Sequence, residues 1–281
     1  MNLRLCLLTL FSLIAFSGNS LLCRIALRQT TIDPVTFTTI RLISGALILW
    51  MVLLASRQKK DIEGSWGGGV ALFTYAITFA FAYAKIPAGT GALLLFASIQ
   101  ISMITYGLLI GERLSFWQTI GFCFAILGLT VLMLPSVSAP PLLNAMLMIA
   151  SGIAWGAYSV LGRRAKNPVS ATAGNFLRAS PIALVFFLLA YGTSYINLDP
   201  KGVAYAVASG TITSGLGYIF WYAALKELKV TYAATVQLSV PVLTAFAGAL
   251  VLGEAVTKTL VSASFLIVFG VALVVLAKRS T

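Results

Sequence analysis

The chain reads as an all-α polytopic membrane protein of ten transmembrane helices, arranged as two inverted five-helix repeats around a central cavity. Three observations predict this. Of 281 residues, 59% are hydrophobic and only 9% charged, against about 25% charged in soluble domains, so water is not this chain's main solvent. Apolar stretches of about 20 residues, each long enough to cross a hydrocarbon core of roughly 30 Å, recur along the whole length. The chain also repeats itself. Ser12 to Arg24 aligns with Ser151 to Arg163 at an offset of 139, matching at Ser12/Ser151, Ile14/Ile153, Ala15/Ala154, Ser20/Ser159, Leu22/Leu161 and Arg24/Arg163. Gly111-Glu112 recurs as Gly253-Glu254, and Gly128 as Gly270. An odd number of helices per copy turns the second copy upside down in the bilayer. Inverted copies make half-sites that face opposite sides of the membrane, the architecture of a carrier that alternates access to one site.

The spans run approximately 5–23, 34–55, 66–84, 88–110, 116–134, 142–162, 168–192, 202–225, 230–252 and 259–277. The first resembles a secretory leader, but Leu21-Leu22-Cys23 lacks the small residues of a cleavage point and many spans follow, so it is read as a helix. The first repeat occupies residues 1–134 and the second 142–281. Between them residues 135–141 (PSVSAPP) form a proline-rich, uncharged link. No connection is long or polar enough for a separate soluble domain.

The net charge of +12 does not mark a nucleic-acid binder, because the basic residues stand singly or in threes between apolar runs. It reports orientation instead. With the N-terminus inside, twelve fall on the cytoplasmic side: Arg4, Arg57, Lys59, Lys60, Arg113, Arg163, Arg164, Lys166, Lys226, Lys229, Lys278 and Arg279. Only five, Arg24, Arg28, Lys85, Lys201 and Lys258, fall outside. The positive-inside bias therefore predicts both termini in the cytoplasm.

Catalysis is not expected. Histidine is absent, which excludes imidazole-based metal sites and acid/base chemistry. Cys6, Cys23 and Cys123 lie in apolar segments and form no CxxC pair, so they read as small hydrophobes. All seven acids, Asp33, Asp61, Glu63, Glu112, Asp199, Glu227 and Glu254, fall at span ends or in loops. Neither paired carboxylates nor a phosphate-cradling loop emerges, and no cofactor or metal is implied. A proton-coupled exporter of lipophilic cations wants an acid at mid-membrane, and none is there.

Arg41 and Arg178 are the only charges inside spans. One of them could hold a substrate carboxylate, but both are read as structural, Arg41 snorkelling to the outer interface and Arg178 pairing with backbone carbonyls or a loop acid. Glu112 and Glu254 are read as structural too. The preceding glycine ends a helix in the left-handed region, and the glutamate lies in the first turn of the next helix, where the dipole favours an anion.

Substrate contacts are expected from aromatic and amide side chains inside the spans. Tyr75, Phe79 and Tyr83 recur every four residues on one face of the third helix, and Phe79/Tyr218 and Tyr83/Tyr222 match across the 139-residue offset. Trp155 and Tyr158 share a face of the sixth helix, and Trp221 accompanies Tyr218 in the eighth. Asn19, Gln100, Gln237 and Ser239 are polar at mid-depth, which is costly unless they meet a neighbouring helix or a wet cavity. Tyr83 and Tyr222, near helix ends, are candidates for gating or for an interfacial aromatic belt. Gly215, Gly217 and Pro241 are candidate hinges, with Pro241 expected to kink the middle of the ninth helix.

Ten spans in two repeats, an arginine in each second helix, Gly111-Glu112 and Gly253-Glu254 after each fourth helix, and Gly128 and Gly270 in each last helix resemble the EamA-type exporters of the drug/metabolite transporter superfamily. Within it the chain looks most like the bacterial exporters of aromatic and other neutral amino acids. The resemblance implies that helices 1, 3, 4, 6, 8 and 9 surround the cavity while 2, 5, 7 and 10 brace it, which adds Phe96 of the fourth helix to the substrate-binding set and puts both arginines at the periphery. The expected protein is a monomeric carrier in the lipid bilayer that exports small amphipathic metabolites. A multidrug or phosphorylated-metabolite transporter of the same superfamily, and a membrane receptor or assembly protein that transports nothing, are the alternatives.

Overall fold

The computed structural model of the chain describes residues 3–55, 62–111, 114–133, 139–162, 165–192, 196–225, 227–228, 237 and 239–277, apart from the side chains at 222, 225 and 275. The described residues are helical throughout, without a strand. The helices are α1 (Leu3–Gln29), α2 (Pro34–Ala55), α3 (Trp66–Tyr83), α4 (Ala88–Leu109), α5 (Phe116–Met133), α6 (Leu142–Gly162) and α7 (Pro168–Tyr191). Then come α8 (Pro200–Ala208), which runs through a π-helical stretch, Ser209–Leu216, into α9 (Gly217–Leu225), and finally α10 (Ser239–Leu252) and α11 (Lys258–Leu276). Taking α8 to α9 as one rod, eight helices are long and apolar enough to cross a membrane, and α10 and α11 add two shorter apolar ones. The chain is a multi-pass membrane protein.

Its surface follows from that solvent. Leu109, Leu189, Leu250 and Phe265 stand largely exposed, which is unfavourable in water and neutral in lipid. The interior holds Ser12, Ser20, Thr36, Thr38, Arg41, Ser151, Ser209 and Thr244, all buried. Small hydroxyl-bearing residues let helices approach closely and bond across the gap, as membrane bundles require. Ser151 Oγ thus donates to the Tyr75 carbonyl at 3.0 Å, joining α6 to α3.

Helix ends are capped from the sequence. Asp33 accepts from the N–H groups of Val35 and Thr36 at α2, and Ser65 Oγ from Gly68 N–H at α3. Asn167 and Asp199 do the same at α7 and α8, both followed by proline. Gly111 (φ 92°) and Gly253 (φ 63°) adopt the left-handed conformation predicted for them.

α5 and α11 pack chiefly on each other. A Cβ on Gly270 would lie 2.5 Å from the Gly121 carbonyl oxygen, so the two backbones touch. α1 lies against α9, α10 and the π stretch, while α3 packs on α6 and α2 on α7.

Three expectations are corrected. The first helix does not stop at residue 23 but continues to Gln29, carrying Arg24 and Arg28 in its last turns; Arg24 tolerates this because it is neutralised by Glu254. The eighth span is not a uniform α-helix but widens at Ser209–Leu216. There Gly210 rests on the Arg41 carbonyl and the Ser44 hydroxyl with no room for a Cβ. Glu254 does not lie in the first turn of the following helix, which starts at Lys258 behind its own cap, Thr257. Pro241 falls in the first turn of α10 as described from Ser239. Residues 229–236 and 238, where the helix was expected to precede the proline, lie outside the described residues, as does Glu112.

Candidate functional site

A cavity of about 30 Å³ is lined by Phe16, Asn19 and Ser20 of α1, Tyr75 and Phe79 of α3, Leu95, Phe96 and Ile99 of α4, and Trp155 of α6, together with Thr213, Tyr218 and Gln237. These come from the first, third, fourth, sixth, eighth and ninth spans. The volume holds one or two waters, so the walls have closed on each other and a larger guest requires the helices to part.

Rings build most of the wall. Trp155 packs against Tyr75 (4.7 Å between centroids), Tyr218 (5.2 Å) and Tyr158 (5.3 Å). Phe79 lies 5.4 Å from Tyr75 and meets Tyr83 edge-on at 4.6 Å. Tilted and edge-on pairs at these separations match the quadrupole preference of aromatic rings.

The polar part centres on Asn19. Its amide nitrogen donates to the Tyr75 hydroxyl oxygen at 3.2 Å, and its carbonyl oxygen accepts from Ser209 Oγ at 2.8 Å and Thr213 Oγ1 at 3.4 Å. Ser209 and Thr213 are one turn apart in the π stretch, so one amide ties α1 to α3 and to the eighth span. A buried amide satisfied in this way is tolerated in an apolar bundle.

Of the residues expected to touch substrate, Asn19, Tyr75, Phe79, Phe96, Trp155, Tyr218 and Gln237 line this cavity. Tyr158 and Trp221 stand behind the wall, Tyr158 against Trp155 and Trp221 against Phe16 at 5.6 Å. Gln100 and Ser239 are half-buried and not among the lining residues. Tyr83 is fully buried with its hydroxyl donating to the Ala88 carbonyl at 3.3 Å, so it is not part of an interfacial belt. The side chain of Tyr222 lies outside the described residues. Gly215 packs on Ile48 of α2 and Gly217 on Ala15 of α1. Phe16, Ser20, Leu95, Ile99 and Thr213 complete the wall without having been anticipated. Phe16 lies three positions before Asn19 and four before Ser20, and the helical repeat through Phe16 was the signal for them.

Arg178 is held as expected, its Nη1 donating to the carbonyls of Gly174 (2.9 Å) and Glu63 (3.3 Å). Arg41 is not where it was expected. Only 1% of its surface is exposed. Its side chain turns inward because α2 is wedged between α7 and the π stretch. Nε donates to Ser214 Oγ at 3.2 Å and Nη2 to the Tyr75 hydroxyl at 3.3 Å. The guanidinium carbon also lies 5.3 Å and 5.2 Å from the ring centres of Tyr75 and Phe79.

One end of the bundle is closed by charge. Arg24 Nε meets Glu254 Oε1 at 2.8 Å with both side chains under 10% exposed, and Arg28 stands 3.7 Å from the same oxygen. Arg24 Nη1 donates to the Tyr83 carbonyl at 2.8 Å, and Glu254 Oε2 accepts from Ala88 N–H at 2.6 Å. Glu254 therefore complements the N-terminus of α4 rather than that of α11, and the knot joins α1, α3, α4 and the turn after α10. At the same end the Asp199 carboxyl is held below its ordinary range by the N–H of Gly202, reinforced by Thr31 and Lys201. The opposite end is tied by Glu63, whose carboxylate accepts from the N–H groups of Lys166 and Asn167 at 3.0 Å. Among the described residues no His, Cys, Asp or Glu cluster could hold a metal.

A membrane bundle with an aromatic and amide hollow finds its relatives among transporters. The profile of the EamA-like transporter family matches residues 3–134 and again 142–276. An uncharacterized protein of Pseudomonas aeruginosa is 49% identical over 272 residues, covering 96% of this chain and 94% of its own. A probable amino-acid metabolite efflux pump of Salmonella typhimurium is 24% identical over 234 residues, 78% of each chain. A crystal structure 20% identical in sequence superposes with a TM-score of 0.65 over 95% of this chain and 96% of the other, a likeness of fold. With nearly every described helix inside one match or the other, the chain belongs to the EamA-like transporter family.

Proposed function

We propose that this transporter exports small amphipathic metabolites, foremost aromatic and other neutral amino acids, from the bacterial cytoplasm by alternating access. The observation that carries the reading is the cavity wall. Six rings, from Phe16, Tyr75, Phe79, Phe96, Trp155 and Tyr218, offer faces for a side chain to stack on, and Asn19 and Gln237 supply hydrogen bonds. No described carboxylate lines it, which speaks against a multidrug cation exporter.

The double family match supports two repeats of opposite orientation, 1–134 and 142–281, enclosing the cavity. The carrier is taken to act as a monomer in the inner membrane, and the twelve-to-five distribution of basic residues supports cytoplasmic termini. In that orientation the Arg24–Glu254 knot is the outer gate. Tyr83, buried beneath it, belongs to the same gate.

Counterflow in proteoliposomes tests the function. Vesicles loaded with unlabelled phenylalanine are expected to accumulate labelled phenylalanine, tyrosine or leucine transiently. Binding without accumulation would identify a receptor, and accumulation of lipophilic cations alone would identify a drug exporter.

A further inference from the structure

Arg41 is a buried cation with unfinished hydrogen bonding. Among the described residues no acid pairs with it. Asp33, the acid on its own helix side, is eight positions away, roughly 12 Å along the axis, and is engaged by Thr36 and Asn197. The guanidinium carries five N–H groups. One serves Ser214, one serves Tyr75, and Nη1 is buried without a partner among the described residues. An uncompensated charge in a membrane interior is strongly disfavoured unless something supplies the opposite charge.

Its surroundings say what that is. The two rings it packs against, Tyr75 and Phe79, are cavity wall. The Tyr75 hydroxyl oxygen accepts from both Arg41 Nη2 and Asn19 Nδ2. With both lone pairs occupied, its own hydrogen has no acceptor among the described residues and is free for a guest. Ser214, which holds Nε, belongs to the π stretch, and such stretches recur at functional sites. Arg41 thus stands one ring behind the cavity, with Tyr75 as both its screen and its relay.

We propose that Arg41 is the carboxylate receptor of the transport site. The cargo's carboxylate takes Nη1, and Tyr75 adds its hydroxyl hydrogen, while the apolar end of the cargo lies among the rings. A planar guanidinium grips a carboxylate in a fork that an amide cannot match. The cargo class is then amphipathic carboxylates. This rests on the aromatic amino-acid reading of the cavity, but requires only the acid group and not the amine.

The test uses two pairs of probes that differ in the carboxylate alone: phenylalanine and phenylalaninamide, and 3-phenylpropionate and 3-phenylpropanamide. Their binding is measured by thermal shift of the purified full chain, wild type and Arg41→Met. In wild type the acid of at least one pair is expected to bind about ten- to a hundredfold more tightly, and in Arg41→Met the preference disappears. Arg41→Lys, which keeps the charge and loses the fork, serves if the methionine variant does not fold, and should retain only part of the preference. Amides binding as well as acids in wild type, or an unchanged preference in the variants, would overturn the proposal. Preference for 3-phenylpropionate with no phenylalanine counterflow upholds Arg41 and defeats the amino-acid reading. Phenylalanine counterflow with no acid preference does the reverse, and binding of neither pair defeats both.

Discussion

Replacing Glu254 by glutamine should open the Arg24 end of the transporter. The carboxylate holds Arg24 Nε at 2.8 Å and Ala88 N–H at 2.6 Å, and both members of the pair are under 10% exposed. Glutamine keeps the shape but brings an amide nitrogen against one of the two donors, and it leaves Arg24 buried without its counter-charge. Hydrogen bonds to charged groups contribute about 1.5–3 kcal/mol each, and removing one partner of a buried pair costs about 3–5 kcal/mol. Because both groups regain water when this end opens, the loss falls on the closed form alone. Even the lower bound of about 1.5 kcal/mol raises the open population roughly tenfold, and about 3 kcal/mol raises it more than a hundredfold. Cys23 supplies the reporter, since it adjoins Arg24 and is fully buried, whereas Cys6 and Cys123 are exposed and are first changed to serine. The rate at which a membrane-impermeant maleimide labels Cys23 in proteoliposomes should rise by that factor in Glu254→Gln and in Arg24→Gln. The double variant should be no faster than either, as expected for groups acting as one unit. Equal labelling of wild type and variants, with the protein folded in each, would refute the reasoning.

Trp155→Ala removes the ring that joins Tyr75, Tyr158 and Tyr218. It should weaken transport of aromatic amino acids about tenfold, read as a raised half-saturation in proteoliposomes at unchanged yield of folded protein. Gly270→Leu drives a side chain into the Gly121 carbonyl and the Ala125 and Phe124 backbone region of α5. Overpacking costs about 1–3 kcal/mol, so the melting temperature in detergent should fall. Transport per folded molecule should persist, because neither α5 nor α11 contributes to the cavity wall. Asp199 caps α8 as an anion with its carboxyl held down by Gly202 N–H. Its contribution is present above the ordinary aspartate range and is lost as pH falls through the lowered value. Deuterium uptake at residues 200–203 should therefore rise in Asp199→Ala at neutral pH, and the gap to wild type should close on strong acidification.

Much of this was legible in the residues alone. Span length and apolarity located the helices, since a bilayer accepts no other open structure. The 139-residue offset paired Phe79 with Tyr218, and both line the cavity. Asn19 and Gln237 were found because an amide is costly in hydrocarbon unless it bonds across helices. The left-handed Gly111 and Gly253 followed from their places after the fourth and ninth spans. Arg41 shows what was not legible. Its depth along α2 was plain, but its direction was not. In a soluble helix the apolar face is the inner face, whereas in lipid both faces are apolar and the hydrophobic period carries little direction.

By itself, then, the sequence determined that this chain lives in a membrane, how many times it turns helical there, and which few polar side chains must find partners. Which partners they find was decided only by the packed bundle. Arg24 meets Glu254 across 230 positions, and Arg41 meets Ser214 across 173. Such contacts depend on how each rod is rotated and how closely its neighbours approach, and those choices are settled by mutual packing rather than by any local preference of the chain.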